Sequence, residues 1–347
     1  MTNGGFAELR REANAPKAVR RRGLALAFIA LLMLFLLYLG IVAFLSELAD
    51  KIFMPRIVAI FAKLNETIAG GDAGAEITAL TIWTASALAA IVTAVGAIAR
   101  SALVVYRFAP NRIGYPALAV FVLLSFAAIM LTITSPQVMV KFPHELCALA
   151  SNPSNPSIFC SQLMDVKQVG WSKLSNLARL KMSLNFALES ATLFTIGSML
   201  LIAGVDFRDN RLRRWQSRRF DRHRPFDKVL STAALVLVTI TLTDVLYCAW
   251  PIAAFGLTSP QAQLLSKVLG GFTLYFAIAG SIILVVGFLL SALLQTSNRR
   301  RERTIGNAIS RIRSMIAGSG VQRVLTMLAP IITAIFGNTI LLQMMNP

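Results

Sequence analysis

Six apolar stretches, at 24–46, 77–99, 116–135, 184–205, 229–256 and 268–294, constrain this chain more than any other feature. A helix of about 18 residues or more, rising about 1.5 Å per residue, crosses a hydrocarbon core of about 30 Å. Within that core every backbone amide needs a partner in its own segment, so the expected fold is all-α. The expectation is a polytopic helical membrane bundle of six transmembrane helices, with a seventh at the carboxyl terminus as the open alternative.

Charge supports this reading. Only 14% of the residues are charged, against roughly 25% in a soluble domain. Length therefore does not count soluble domains here. The net charge of +18 would suggest nucleic acid in a soluble protein. In a membrane protein it is better read as basic loops held in the cytoplasm against anionic lipid headgroups.

The placement of lysine and arginine sets the expected topology. Residues 1–22 carry six, the 206–228 loop nine and the 295–324 segment seven. The link after the second stretch has Arg100, Arg107 and Arg112 and no acid. The alternate segments differ: 47–76 has three, balanced by five acids, 136–183 has five spread over its length, and 257–266 has none. Positive charge stays inside, so the amino terminus is expected in the cytoplasm and the second set of loops outside. The first stretch is longer than a signal-peptide core and no small-residue cleavage pattern follows it, so it reads as a retained span. Glu8 and Glu12 argue against a transit peptide. Arginine far outnumbers lysine and alanine is abundant. That composition resembles a GC-rich bacterium, and the expected location is a bacterial inner membrane.

The chain divides accordingly into a basic cytoplasmic segment (1–22), a six-span membrane domain (23–295), a basic amphipathic cytoplasmic segment (296–323) and an apolar carboxyl-terminal segment (324–347). Residues 52–64 and 303–316 have apolar residues at helical spacing with charges away from that face, and both read as helices lying on the membrane surface. Pro330, Gly337 and Asn338 interrupt 324–342, leaving a seventh span, a re-entrant segment or a surface segment open.

Arg211, Arg214, Arg218 and Arg222 recur at helical spacing with Trp215 among them. Basic residues with aromatics suit single-stranded nucleic acid, but beside a span they suit anionic lipid better, at about 1 kcal/mol per basic residue. A homo-oligomer or a membrane-complex partner is the other kind of contact expected. Cys147 and Cys160 lie in the 136–183 loop, separated by turn-forming Ser, Asn and Pro. Outside the cytoplasm they can form a disulfide, worth about 3 kcal/mol for a loop near 15 residues. Two free thiols are the alternative.

The tetrapeptide TSPQ occurs at 134–137 and 258–261, and the strings beginning at Glu76 and Glu189 are loosely alike. A duplicated helical hairpin would account for both. So would the tendency of Ser-Pro to end a helix.

Two acids fall well within the stretches, Glu189 and Asp244. Such acids are costly in a membrane and mark candidate functional sites. No lysine or arginine lies within those two stretches, so the expected neutralisers are a proton, a cation or nearby hydroxyls: Ser190, Thr241 and Thr243. The two acids are expected to approach the same depth. Gly270, Gly271, Ala277, Ala279, Gly280 and Ser281 suit close helix packing.

Enzyme signatures fail. His144-Glu145 opens a string like HExxH, but Ala148 stands in place of the second histidine, and His223 falls on the other side of the membrane. No catalytic, cofactor or metal motif is present. The leading expectation is a transporter- or channel-like protein with a polar intramembrane site for a proton or cation, not an enzyme. The alternative is a membrane scaffold, a secretion-complex subunit or a membrane-disrupting effector of defence or competition. A transporter should show a polar cavity reaching Glu189 or Asp244, whereas a scaffold should pack them dry.

Overall fold

The computed structural model describes residues 73–108, 176–204, 224–254, 259–297 and 320–344 continuously, and positions 29–30, 32–41, 43–44, 47, 51–52, 55–56 and 59 of the first part of the chain. These residues form six helices, and no strand occurs among them. They are α1 (Leu32–Ile41), α2 (Ala73–Phe108), α3 (Asn176–Gly204), α4 (Arg224–Ala254), α5 (Ser259–Ser297) and α6 (Gly320–Met344).

Four helices are long and apolar enough to cross a membrane, through Ile77–Val105, Ser183–Ala203, Phe226–Tyr247 and Ser266–Leu294. They correspond to the second, fourth, fifth and sixth stretches read from the sequence. The first stretch is helical at Leu32–Ile41. The third, at 116–135, lies outside the described residues, so six or seven spans are not established. The molecule is a membrane-type helical bundle of at least four long apolar helices.

An apolar helix gives few clues to its inward face, because lipid accepts the same side chains as a core. In α2 small residues mark that face. Trp83, Ala87, Ala90, Ala94, Ala97, Ser101 and Val105 are buried at steps of three or four. The alanines let α2 approach Leu184, Leu188 and Ala191 of α3 and Val236 of α4 closely. Its outer face is large and bare, with Val92 at 72% exposure. Only 28% of the α2 window is buried, against 78% for α3. Thus α2 is the most exposed of the four long helices among the described residues, whereas α3 is enclosed.

Glycines mark other close approaches. A β-carbon on Gly287 of α5 would stand 2.7 Å from Ile196 Cγ2 of α3, and one on Gly280 would stand 3.1 Å from Leu237 of α4. Gly280 and the buried Ala277, Ala279 and Ser281 thus serve packing, as their sequence suggests. Helix α6 repeats the α2 pattern, with Arg323, Met327, Pro330, Ala334 and Gly337 inward. A β-carbon on Gly337 would meet Val245 of α4 at 3.2 Å.

Cross-helix contacts fix the directions. Trp83 near the start of α2 meets Tyr247 near the end of α4, and Phe226 at the start of α4 meets Phe288 late in α5. Arg323 at the start of α6 grips Asp227 at the start of α4, through Nε to Oδ1 at 2.8 Å and a terminal nitrogen to Oδ2 at 3.0 Å. Phe44, just past α1, meets Tyr275 in the first half of α5. Therefore α1, α4 and α6 run one way and α2, α3 and α5 the other. The arginine-rich segments all adjoin one end of the bundle, called the basic end below. The segments poor in basic charge adjoin the far end. Phe108 and Asn176 lie at opposite ends, so the chain changes ends between them.

Several expectations change. The segment 324–342 is not broken at Pro330 or Gly337: it lies inside the continuous helix α6. Proline removes one amide donor, and burial against α4 and α5 holds the helix through it. At 258–261 the Ser-Pro pair opens α5 at Ser259 rather than ending a helix, since proline's fixed φ and missing donor suit the first turn. The strings at Glu76 and Glu189 occupy the first turn of α2 and the middle of α3, so they are not equivalent positions of a repeat. The surface helices expected at 52–64 and 303–316 lie mostly or wholly outside the described residues.

Candidate functional site

The polar core is built by three helices. Glu189, midway along α3, accepts a 2.7 Å hydrogen bond from the Tyr38 hydroxyl of α1. Tyr38 is buried and Glu189 partly so. Toward the far end, Lys181 in the second turn of α3 donates to Asp244 Oδ1 of α4. Both members of this ion pair are buried, Lys181 at 1% and Asp244 at 5% exposure.

The pair corrects the expectation that no basic side chain neutralises either acid. The apolar stretch begins at 184, which assigned Lys181 to the outer loop. The helix begins at Asn176 instead. Lysine's aliphatic stem packs like an apolar side chain, and the carboxylate partner removes the cost of its charge.

An aromatic group surrounds the pair. The Lys181 ammonium lies 4.8 Å from the centroid of the Tyr247 ring. Tyr247 lies 5.4 Å from Trp83 and 6.3 Å from Trp250, and the two tryptophan rings stack at 6.1 Å with a 20° interplanar angle. The negative ring face attracts the ammonium, and that attraction strengthens when water is excluded. Sequence reasoning passed over Trp83, Tyr247, Lys181 and Tyr38. Trp83 carried a usable signal, since it heads the series of small residues.

The two acids do not share a depth. Lys181 precedes Glu189 in α3 by about 12 Å along the axis, and Asp244 sits with Lys181. Lys181 and Asp244 compensate one another. Glu189 is met instead by a neutral phenol.

The expected hydroxyls serve their own helices. Thr241 donates to the Leu237 carbonyl at 2.9 Å and Thr243 to the Thr239 carbonyl at 2.7 Å. Thr192 does the same toward Leu188 at 2.9 Å. Such back-bonding satisfies a hydroxyl within the membrane without a partner helix. Ser190 is partly buried. A cavity of about 490 Å³ opens between α5 and the residues leading into α1, lined by Ile29, Ala30, Met33, Val286, Leu290 and Leu293 among others. It is apolar, lies toward the basic end, and none of its lining residues is Glu189 or Asp244.

Cys147 and Cys160, and Arg211, Arg214, Trp215, Arg218 and Arg222, lie outside the described residues. No cluster of His, Cys, Asp and Glu able to hold a metal ion occurs among the described residues. Comparison with known protein families, curated proteins and solved structures finds no match.

Proposed function

We propose that this membrane protein is of transporter or channel type and that Glu189 is its proton or cation site. One observation carries the reading: Glu189 stands halfway along an enclosed helix, partly accessible, with Tyr38 rather than a basic side chain as its hydrogen-bonding partner. A carboxyl group in that setting needs a counter-ion, and a proton or a small cation supplies one. Asp244 no longer belongs to the ion-exchanging site, because Lys181 already neutralises it. The chain is read as a non-enzymatic, multi-pass protein of a bacterial inner membrane, with its amino terminus in the cytoplasm. The arginines of 206–228 then meet anionic headgroups.

The test is flux in proteoliposomes, with a pH-sensitive dye inside and an imposed cation or proton gradient. Glu189→Gln should abolish the flux while leaving thermal stability near native, since the amide still accepts the Tyr38 hydrogen bond but exchanges no proton. Full flux in Glu189→Gln refutes the reading.

A second reading has its own observation. Asp244 is packed dry against Lys181, and the described cavity is apolar. Both suit a membrane scaffold, a secretion-complex subunit or a membrane-disrupting effector. Under this reading no flux is found, and Glu189→Leu acts only through stability.

A further inference from the structure

The Lys181–Asp244 pair has the chemistry of a filled binding site. A buried carboxylate and the face of a tyrosine ring hold one primary ammonium, and two stacked tryptophans close the group behind that ring. Trp83, Trp250, Tyr247, Asp244 and Lys181 are all buried. The Trp83 indole N–H, fully buried, has no hydrogen-bond acceptor among the described residues. A carboxylate with π faces is the arrangement that recognises organic ammonium ions: the carboxylate supplies charge, and the rings favour a weakly hydrated, alkyl-bearing cation over sodium.

We infer that this group is a binding site for a small organic ammonium ion, and that the Lys181 ammonium is its tethered resident, displaced when the ligand enters. Exchange conserves the charge of the site. Opening the pair to nothing strands a buried carboxylate, whereas replacing one ammonium with another keeps Asp244 compensated throughout. Lysine suits the part, because its compact charge rides on a flexible four-carbon stem. Lys181 also lies near the start of its helix, toward the far end of the bundle. The apolar cavity near α1 and the Arg323–Asp227 grip offer no comparable match to a ligand. The inference stands apart from the proton or cation site at Glu189, and each can fail without the other.

The experiment uses the full-length protein in lipid nanodiscs, with ethylammonium chloride as the probe and sodium chloride at equal ionic strength as the reference. Tryptophan fluorescence is the readout, because two of the chain's four tryptophans belong to the site. The native protein should show a saturable change with ethylammonium and none with sodium. Lys181→Met, which removes the resident competitor, should bind about tenfold or more tightly. Asp244→Asn should lose the response. Tyr247→Leu keeps the ion pair, so it does not depend on the fold surviving loss of a charge. It should weaken binding by about 2- to 30-fold. Absence of a saturable change in the native protein overturns the inference. So does an unaltered response in Asp244→Asn or Tyr247→Leu, or binding by Lys181→Met no tighter than native. An equal response to sodium shows a site for inorganic cations and overturns the ligand class.

Discussion

Lys181 and Asp244, 63 positions apart in the chain, meet as a buried ion pair that ties the start of α3 to the second half of α4. The two helices run antiparallel, so this contact sets their vertical register. Trp83 and Tyr247 bring α2 to the same level. At the basic end Arg323 and Asp227 do the corresponding work for α6 and α4.

Breaking the first pair from one side should be expensive. Asp244→Asn or Lys181→Met leaves a charge buried without its partner, which typically costs about 3–5 kcal/mol. Removing both charges together should cost much less than the sum, because nothing is then left uncompensated. Unfolding of the purified protein in mixed micelles, titrated with denaturing detergent, measures all three variants. Additive losses would show that the pair is not a coupled unit.

The close approach of α5 to α3 makes a sharper packing prediction. Gly287→Ala places a β-carbon 2.7 Å from Ile196 Cγ2, and Ile196 is fully buried. Overpacking of this kind costs about 1–3 kcal/mol. Gly96→Ala is the control: nothing lies within 4 Å of its new methyl, so the gain in helix propensity, up to about 1 kcal/mol, should appear alone. Gly287→Ala gains the same propensity, so its net loss should be about 0–2 kcal/mol, and only Gly96→Ala should raise the melting temperature. In a double-mutant cycle, Ile196→Ala should cost less in the Gly287→Ala background than in the native protein, because the new methyl fills part of the space it empties.

The charge pattern predicts that residues 206–228 and 136–183 lie on opposite sides of the membrane, and α3, which joins them, starts at the far end of the bundle and finishes at the basic end. Single cysteines at Ser217 and Ser175, in a background free of other cysteines, should be labelled by an impermeant thiol reagent from opposite faces. Ser217 should react only after the cytoplasmic side is opened. Labelling of both from one side overturns the assignment.

Cys147 and Cys160 should form a disulfide in the protein isolated from an oxidising compartment, with Cys248 reduced. Peptide mapping after thiol blocking, without reduction, reads the outcome directly. Alkylation of both loop cysteines before any reducing agent is added removes the bridge, and with it about 3 kcal/mol of expected loop stabilisation.

Sequence alone determined the four segments seen as long apolar helices, and how the loops sort by charge. Both are local properties. A lipid-spanning segment must satisfy its hydrogen bonds internally, and a run such as 268–294 declares that by composition. Tertiary structure decided which side chains face inward and which polar groups meet. Leu88 and Ala87 are adjacent and both apolar, yet one is exposed and the other buried, because the rotation of α2 turns Ala87 toward its neighbours and Leu88 away. Glu189 and Tyr38 are 151 positions apart, and nothing in either segment names the other. Lys181 was legible only as a loop charge until Asp244 made its burial tolerable. The rotation and vertical register of packed helices determine such partners, and they emerge only when the whole interface is assembled.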